Sequence, residues 1–169
     1  MEGPLQKALR YCEGDAPPWL VLLGPKGNGK THLSKAIAFT FLERLARVQF
    51  WVVPAFLDQL RSTFAPDSRR DFSEEMRRLA YEPELVVMDD YGAESATSWA
   101  NERLYLVLNT RYEENLRTVI TCNDSARLRS DGRIASRLSD TSVCQVVHCR
   151  GEDVRPKLRA RRGRRCLSA

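Results

Sequence analysis

The sequence predicts a three-layer α/β domain on a five-stranded parallel sheet, and three observations carry that prediction. Five short apolar runs, residues 19–23, 50–53, 85–88, 119–121 and 143–147, are bulky or β-branched and do not alternate with polar residues, which is the pattern of strands buried on both faces. Between them, Leu33, Ala36, Ile37 and Phe41, and later Ala100, Leu104, Val107 and Leu108, recur at helical spacing and give each helix one apolar stripe. Directly after the first run stands a glycine-rich turn, Gly24-Pro25-Lys26-Gly27-Asn28-Gly29-Lys30-Thr31, set between that strand and the first helix.

The elements follow in order. Parallel neighbours need crossover connections long enough to hold a helix, so the runs and stripes alternate as strand and helix. After the second strand, residues 65–78 are charged and proline-interrupted and are expected to form a surface loop leading into a short helix. The third run ends in Asp89-Asp90, the fourth in Cys122-Asn123, and the fifth precedes a terminus rich in arginine. A chain of 169 residues suits one domain, placed at residues 1–155, with residues 156–169 as a basic, flexible tail.

Composition narrows the function classes. Hydrophobic residues are 43% and charged residues 29%, which excludes wholesale disorder and collagen. No apolar run approaches the roughly 20 residues of a membrane helix, and the first residues lack the apolar core of a secretory signal. Five cysteines without a CxxC pair point to reduced thiols and a cytoplasmic location. The formal charge of +5 is concentrated: residues 150–169 hold eight basic and two acidic side chains, against 19 and 20 in the remainder. That tail is either a polyanion contact that releases counterions or a solvated terminus.

The turn at residues 24–31 matches GxxxxGK[ST]. Glycines let successive N–H groups face a polyphosphate, and the following helix points the positive end of its dipole at the same anion. Gly24 through His32 are therefore expected to bind ATP, with Lys30 on the β and γ phosphates and the Thr31 hydroxyl on Mg²⁺. Asp89, at the end of a buried strand, is the second Mg²⁺ anchor. Adjacent side chains diverge there, so Asp90 can polarise the attacking water as a base. Asn123 either orients that water or serves as a turn residue.

With these pieces in order, the chain resembles the AAA+ ATPases of the DnaC/IstB helicase-loader clade from about residue 19 to 155. The likeness is carried by LLGPKGNGKTHL, VVMDDYGAE, LNTRYE, TVITCN, GRIASRL and GEDVR. It implies a homo-oligomer with ATP at subunit interfaces, Arg137 of the RIxSRL motif as an arginine finger with Arg133 as runner-up, Asn123 as sensor 1 and Arg155 as sensor 2. It also implies single-stranded DNA in a central channel, near Thr97, Trp99, Arg61 and Phe64, although Trp99 opens an amphipathic helix and can equally be core. The implied partner is a replicative helicase or, in the alternative, a transposase. A small-molecule kinase is disfavoured because no acceptor lid is evident. Two departures stand out: Asp90 replaces the longer Glu of many AAA+ proteins, with Glu94 as an alternative base and slow hydrolysis as the consequence, and neither an amino-terminal domain nor a sizeable helical lid is expected.

Overall fold

A computed structural model describes residues 2–63, 72–93 and 97–154. The elements are α1 (Pro4–Glu13), β1 (Trp19–Leu23), α2 (Lys30–Glu43), β2 (Val48–Val52), α3 (Val53–Thr63), α4 (Phe72–Tyr81), β3 (Leu85–Tyr91), α5 (Ser98–Glu113), β4 (Arg117–Cys122), α6 (Ser125–Leu128), α7 (Gly132–Leu138) and β5 (Cys144–His148). The five strands form one sheet in the order β2-β3-β4-β1-β5, and every pairing is parallel. All carboxyl ends therefore meet at one edge, the edge where α/β folds bind ligands.

The continuous apolar runs have a direct cause, since two cores lie on opposite faces of the sheet. Trp19, Val21, Leu23, Val86, Met88 and Ile120 point into a core shared with α3, α4, α5 and α7. Their neighbours Leu20, Leu22, Leu85, Val87 and Val119 point into a second core shared with α1 and α2. With both faces covered, the central strands β1, β3 and β4 are apolar at both parities apart from residues that hydrogen-bond, whereas the edge strands β2 and β5 are partly exposed and carry Gln49, Gln145 and His148.

The five-stranded α/β prediction holds, with shifted boundaries. β2 begins at Val48, and Val53, read as strand, starts α3. β3 runs through both aspartates to Tyr91, and β5 ends at His148. Of the stretch expected as a loop, residues 72–78 already belong to α4, and residues 65–71 lie outside the described residues. The α5 stripe is buried as read, whereas on α2 Ser34 and Ala38 take burial expected of Leu33 and Ala36.

The sequence reading missed α1 altogether. Its marks were present: Pro4 begins the helix, Gly14 ends it at φ 93°, and Ala8, Tyr11 and Cys12 form its buried stripe. Lys7 and Arg10 broke the apolar pattern enough to hide it. Among the described residues no helix follows β5, and none is long and apolar enough to cross a membrane.

Candidate functional site

The glycine-rich turn connects β1 to α2 and is gripped from both sides. Gly24 N–H donates to Cys122 O at the end of β4 (3.2 Å), and Cys149 N–H, just past β5, donates to Leu23 O (2.7 Å). Gly24 cannot be replaced, because a Cβ there would stand 2.2 Å from Cys149 O. Gly27 has φ 80°, and a Cβ there would meet the Asp153 carboxylate at 2.0 Å. Val154 N–H donates to Gly27 O (3.1 Å), and Asn28 Nδ2 donates to Cys149 O (2.5 Å), so residues 149–154 brace the outside of the turn.

Lys30 opens α2 yet is only 6% exposed. Its ammonium has three donors, and they reach Gly24 O (2.6 Å), Pro25 O (2.7 Å) and Asn28 Oδ1 (3.1 Å). The charge is thereby held inside the curl of the backbone. Burial lowers its pKa, while Asp90 and Asp89 among the nearby groups pull the other way. An enclosed cation beneath left-handed glycines at a helix amino terminus matches a polyphosphate in charge and shape. Thr31 and His32 follow on the exposed side of the first helical turn.

The two acids owe their placement to an irregularity in the sheet. β3 and β4 run in register through Met88↔Ile120, then resume at Tyr91↔Cys122. Asp89 and Asp90 thus stand opposite the single residue Thr121, a bulge in which Asp90 adopts a left-handed backbone at φ 59°. Thr121 Oγ1 donates to Asp89 Oδ1 (2.7 Å) and accepts from Asp90 N–H (2.9 Å). Asn123 Nδ2 donates to Asp90 Oδ1 (2.6 Å). Asp89 is buried and Asp90 is half-buried; Asp89 takes its donor from Thr121 in β4, and Asp90 from Asn123 just past the strand. The strand-end divergence expected of two adjacent residues is here produced by the bulge.

These residues fit a hard divalent cation bound with its phosphate. Among the described residues no group of three or more His, Cys, Asp or Glu is arranged to hold a metal. Mg²⁺ needs no such cage, because it retains waters and takes phosphate oxygens beside one or two protein ligands. Asp89 and Thr31 carry hard oxygens of the right chemistry for it.

The expected finger residues lie on α7, away from the turn. Arg137 Nη2 donates to Asn109 Oδ1 and to Tyr105 Oη (3.4 Å), and Nη1 donates to Arg133 O (2.9 Å). Arg133 is held by Asp131 (2.8 Å) and Glu102 (3.4 Å), which raise its pKa, Asp131 contributing most. Thr97 caps α5 by accepting from Ala100 N–H, and Trp99 packs against the core with the Arg61 guanidinium 4.8 Å from its ring centre. Glu94, Phe64, Arg155 and the basic tail lie outside the described residues.

Two contributors to the site had no role assigned from the sequence, Thr121 and the Cys149–Val154 brace. Thr121 lies near the end of β4, two positions before Asn123, which follows the strand's end. The brace joins residues 121 positions apart, so although part of it falls in the GEDVR motif, nothing local shows that it packs on the glycine turn.

A family model described as IstB-like ATP binding protein matches residues 7–162. The replicative helicase loader DnaI of Bacillus subtilis is 31% identical over 116 residues, which is 68% of this chain and 36% of that protein. A putative ATP-binding protein of an insertion sequence in Mycobacterium tuberculosis, Rv3427c, is 27% identical over 116 residues, 69% of this chain and 44% of that protein. The chain thus spans less than half the length of either relative. Among solved structures, the replication initiator DnaA bound to AMPPCP and single-stranded DNA superposes with TM-score 0.73 and 18% identity, over 90% of this chain and 49% of that one.

Proposed function

Because the chain belongs to the IstB-like ATP-binding family, we propose that it is a Mg²⁺-dependent ATPase of helicase-loader type, which binds single-stranded DNA and assists the loading of a replicative helicase. The observation that carries this reading is the meeting of two constellations at one sheet edge: the enclosed Lys30 with its glycine turn, and the Asp89–Thr121 and Asp90–Asn123 pairs. The DnaI likeness supports the loader assignment, and the DnaA neighbour supports a fold that can accept an ATP analogue and single-stranded DNA.

The residues divide the work. Backbone N–H groups of residues 26–31 would bind the phosphates, joined by the Lys30 ammonium once it exchanges its contacts with Gly24 O, Pro25 O and Asn28 Oδ1 for phosphate oxygens, and Thr31 and Asp89 would hold Mg²⁺, which would neutralise charge on those oxygens. Asn123 fixes one oxygen of Asp90, leaving the other to accept a proton from the attacking water. Arg137 of a neighbouring copy offers positive charge to the transferring phosphoryl group, and Arg155 serves as the second sensor. The shorter reach of Asp90 makes turnover slow.

A second reading, an ATP-gated DNA-binding scaffold that recruits a transposase, is favoured by the likeness to the insertion-sequence protein. Sedimentation with ATP, Mg²⁺ and a single-stranded oligonucleotide, with turnover read on the same samples, tests the first. A DNA-stimulated, hydrolysing oligomer is expected. An oligomer that binds ATP and never turns it over sinks the enzyme claim, and co-purification with a transposase instead of a helicase selects the second reading.

A further inference from the structure

α5 ends in the block Leu108-Asn109-Thr110-Arg111-Tyr112-Glu113, which the nucleotide site does not use, and α7 packs across it. The Arg137 guanidinium lies on this block. Nη2 donates to Asn109 Oδ1 and Tyr105 Oη, Glu113 Oε1 is 3.9 Å away, and Nη1 turns back to the carbonyl of Arg133 on its own helix. The rings of Tyr105 and Tyr112 are centred 5.2 and 5.3 Å from the guanidinium carbon. The side chain is 18% exposed, and its Nε is buried without a partner.

A guanidinium has five N–H donors. Here three are turned on the protein's own acceptors and a fourth is buried, so the group cannot at the same time present a two-pronged fork to an anion outside the chain. We infer that Tyr105, Asn109 and Tyr112 form a seat that holds Arg137 withdrawn in the single chain, and that docking of a second copy of this chain draws it out toward that copy's nucleotide. The inference rests on the shared-site reading above. The seat suits release, because the unpaired Nε leaves it incompletely satisfied and tyrosine faces attract a cation without a fixed bond direction. Arg133 shares the Tyr105 ring at 3.8 Å, but its ties to Asp131 and Glu102 keep it in place. The consequence is that the finger is withheld until an interface has formed, which ties hydrolysis to assembly.

The seat is tested first without reference to activity. Phenylglyoxal modifies accessible guanidinium groups, and peptide mass spectrometry of the full chain reads Arg137 against the exposed Arg129. Arg137 should react at least threefold more slowly than Arg129. Asn109→Ala should speed the Arg137 reaction at least threefold, and Asn109→Asp should slow it, since an anionic acceptor grips a guanidinium more tightly. Equal rates at Arg137 and Arg129, or both variants shifting the same way as unfolding would make them, overturn the seat.

Release is then tested in trans. A Lys30→Ala chain, able to donate a finger but not to bind nucleotide, is titrated into an Arg137→Ala chain that keeps its nucleotide site. Asn109→Ala in the donor should lower the half-saturating donor concentration at least threefold, Asn109→Asp should raise it, and neither should matter in the nucleotide-binding chain. An unchanged or higher half-saturation with Asn109→Ala overturns release. A parental mixture without turnover overturns the shared site and the release step with it, whereas the labelling result decides the seat independently.

Discussion

Thr121 is the residue on which both acids of the site converge. Its hydroxyl donates to the carboxylate of Asp89 and accepts from the backbone of Asp90, and it is 1% exposed, so water cannot substitute for it. A valine there keeps the shape and removes both bonds. Thr121→Val should weaken ATP binding about tenfold in the presence of Mg²⁺ while leaving binding in a chelator unchanged, because partners that orient a metal ligand are worth about 10–100-fold in metal affinity. Thr121→Ser should restore it, and fluorescent-nucleotide titration reads all three proteins. Equal losses with and without Mg²⁺ would mean that Thr121 serves packing alone. At this scale the sequence was legible where a motif named the residue: Lys30 is enclosed by the glycine turn, and Asp89, Asp90 and Asn123 meet in one hydrogen-bonded cluster through Thr121. Thr121 escaped because an isolated threonine in a strand reads as filler until the neighbouring strand and its register are known.

Among the elements, α5 ties α4 to strands β3 and β4 through one buried charge. Arg111 is fully buried; its Nε donates to Thr118 Oγ1 (2.9 Å), Nη1 to Ala80 O (2.6 Å) and Pro83 O (3.1 Å), and Nη2 to Arg117 O (2.6 Å). It thereby satisfies a carbonyl in the last turn of α4 and one just before β3, while holding the start of β4. Burial pulls its pKa down to about 10, which leaves it charged at neutral pH. Arg111→Ala orphans several carbonyls at about 1–3 kcal/mol each, so urea denaturation should show a loss of about 3 kcal/mol or more. Lysine lacks the fork and should recover only part of this. A loss below about 1 kcal/mol, the worth of one ordinary hydrogen bond, would contradict the role. Arg111 continues the stripe of Ala100, Leu104, Val107 and Leu108, so its position was legible, but a charged side chain on that face is read as surface unless its acceptors are known. α1 was hidden for the converse reason: its buried face is small, and charges interrupt its pattern.

On the scale of the whole molecule, a parallel sheet gathers the site. Because every strand runs the same way, residues far apart in sequence, Lys30, Asp89, Asn123 and Cys149, reach one edge without any long-range signal in the sequence beyond strand order. The order β2-β3-β4-β1-β5 places the glycine turn between β4 and β5 and puts the acids one strand further along, where β4 and the residue just past it supply their donors. The apolar runs made the sheet legible, and the GxxxxGK[ST] spacing made one end of it legible as a site. The sequence could not reveal the bulge that separates Asp89 from Asp90, because a one-residue excess in a strand is defined only by its partner.

The proposed function stands on the enclosed Lys30 and its glycine turn as the phosphate site of a Mg²⁺–ATP pocket. Calorimetric titration of ATP with Mg²⁺ into the wild-type chain and Lys30→Ala tests it most directly, with thermal unfolding run alongside to show that both are folded. Wild type should bind saturably at one site and the variant at least tenfold more weakly, equivalent to about 1.4 kcal/mol or more. Equal affinity in two folded proteins would contradict it.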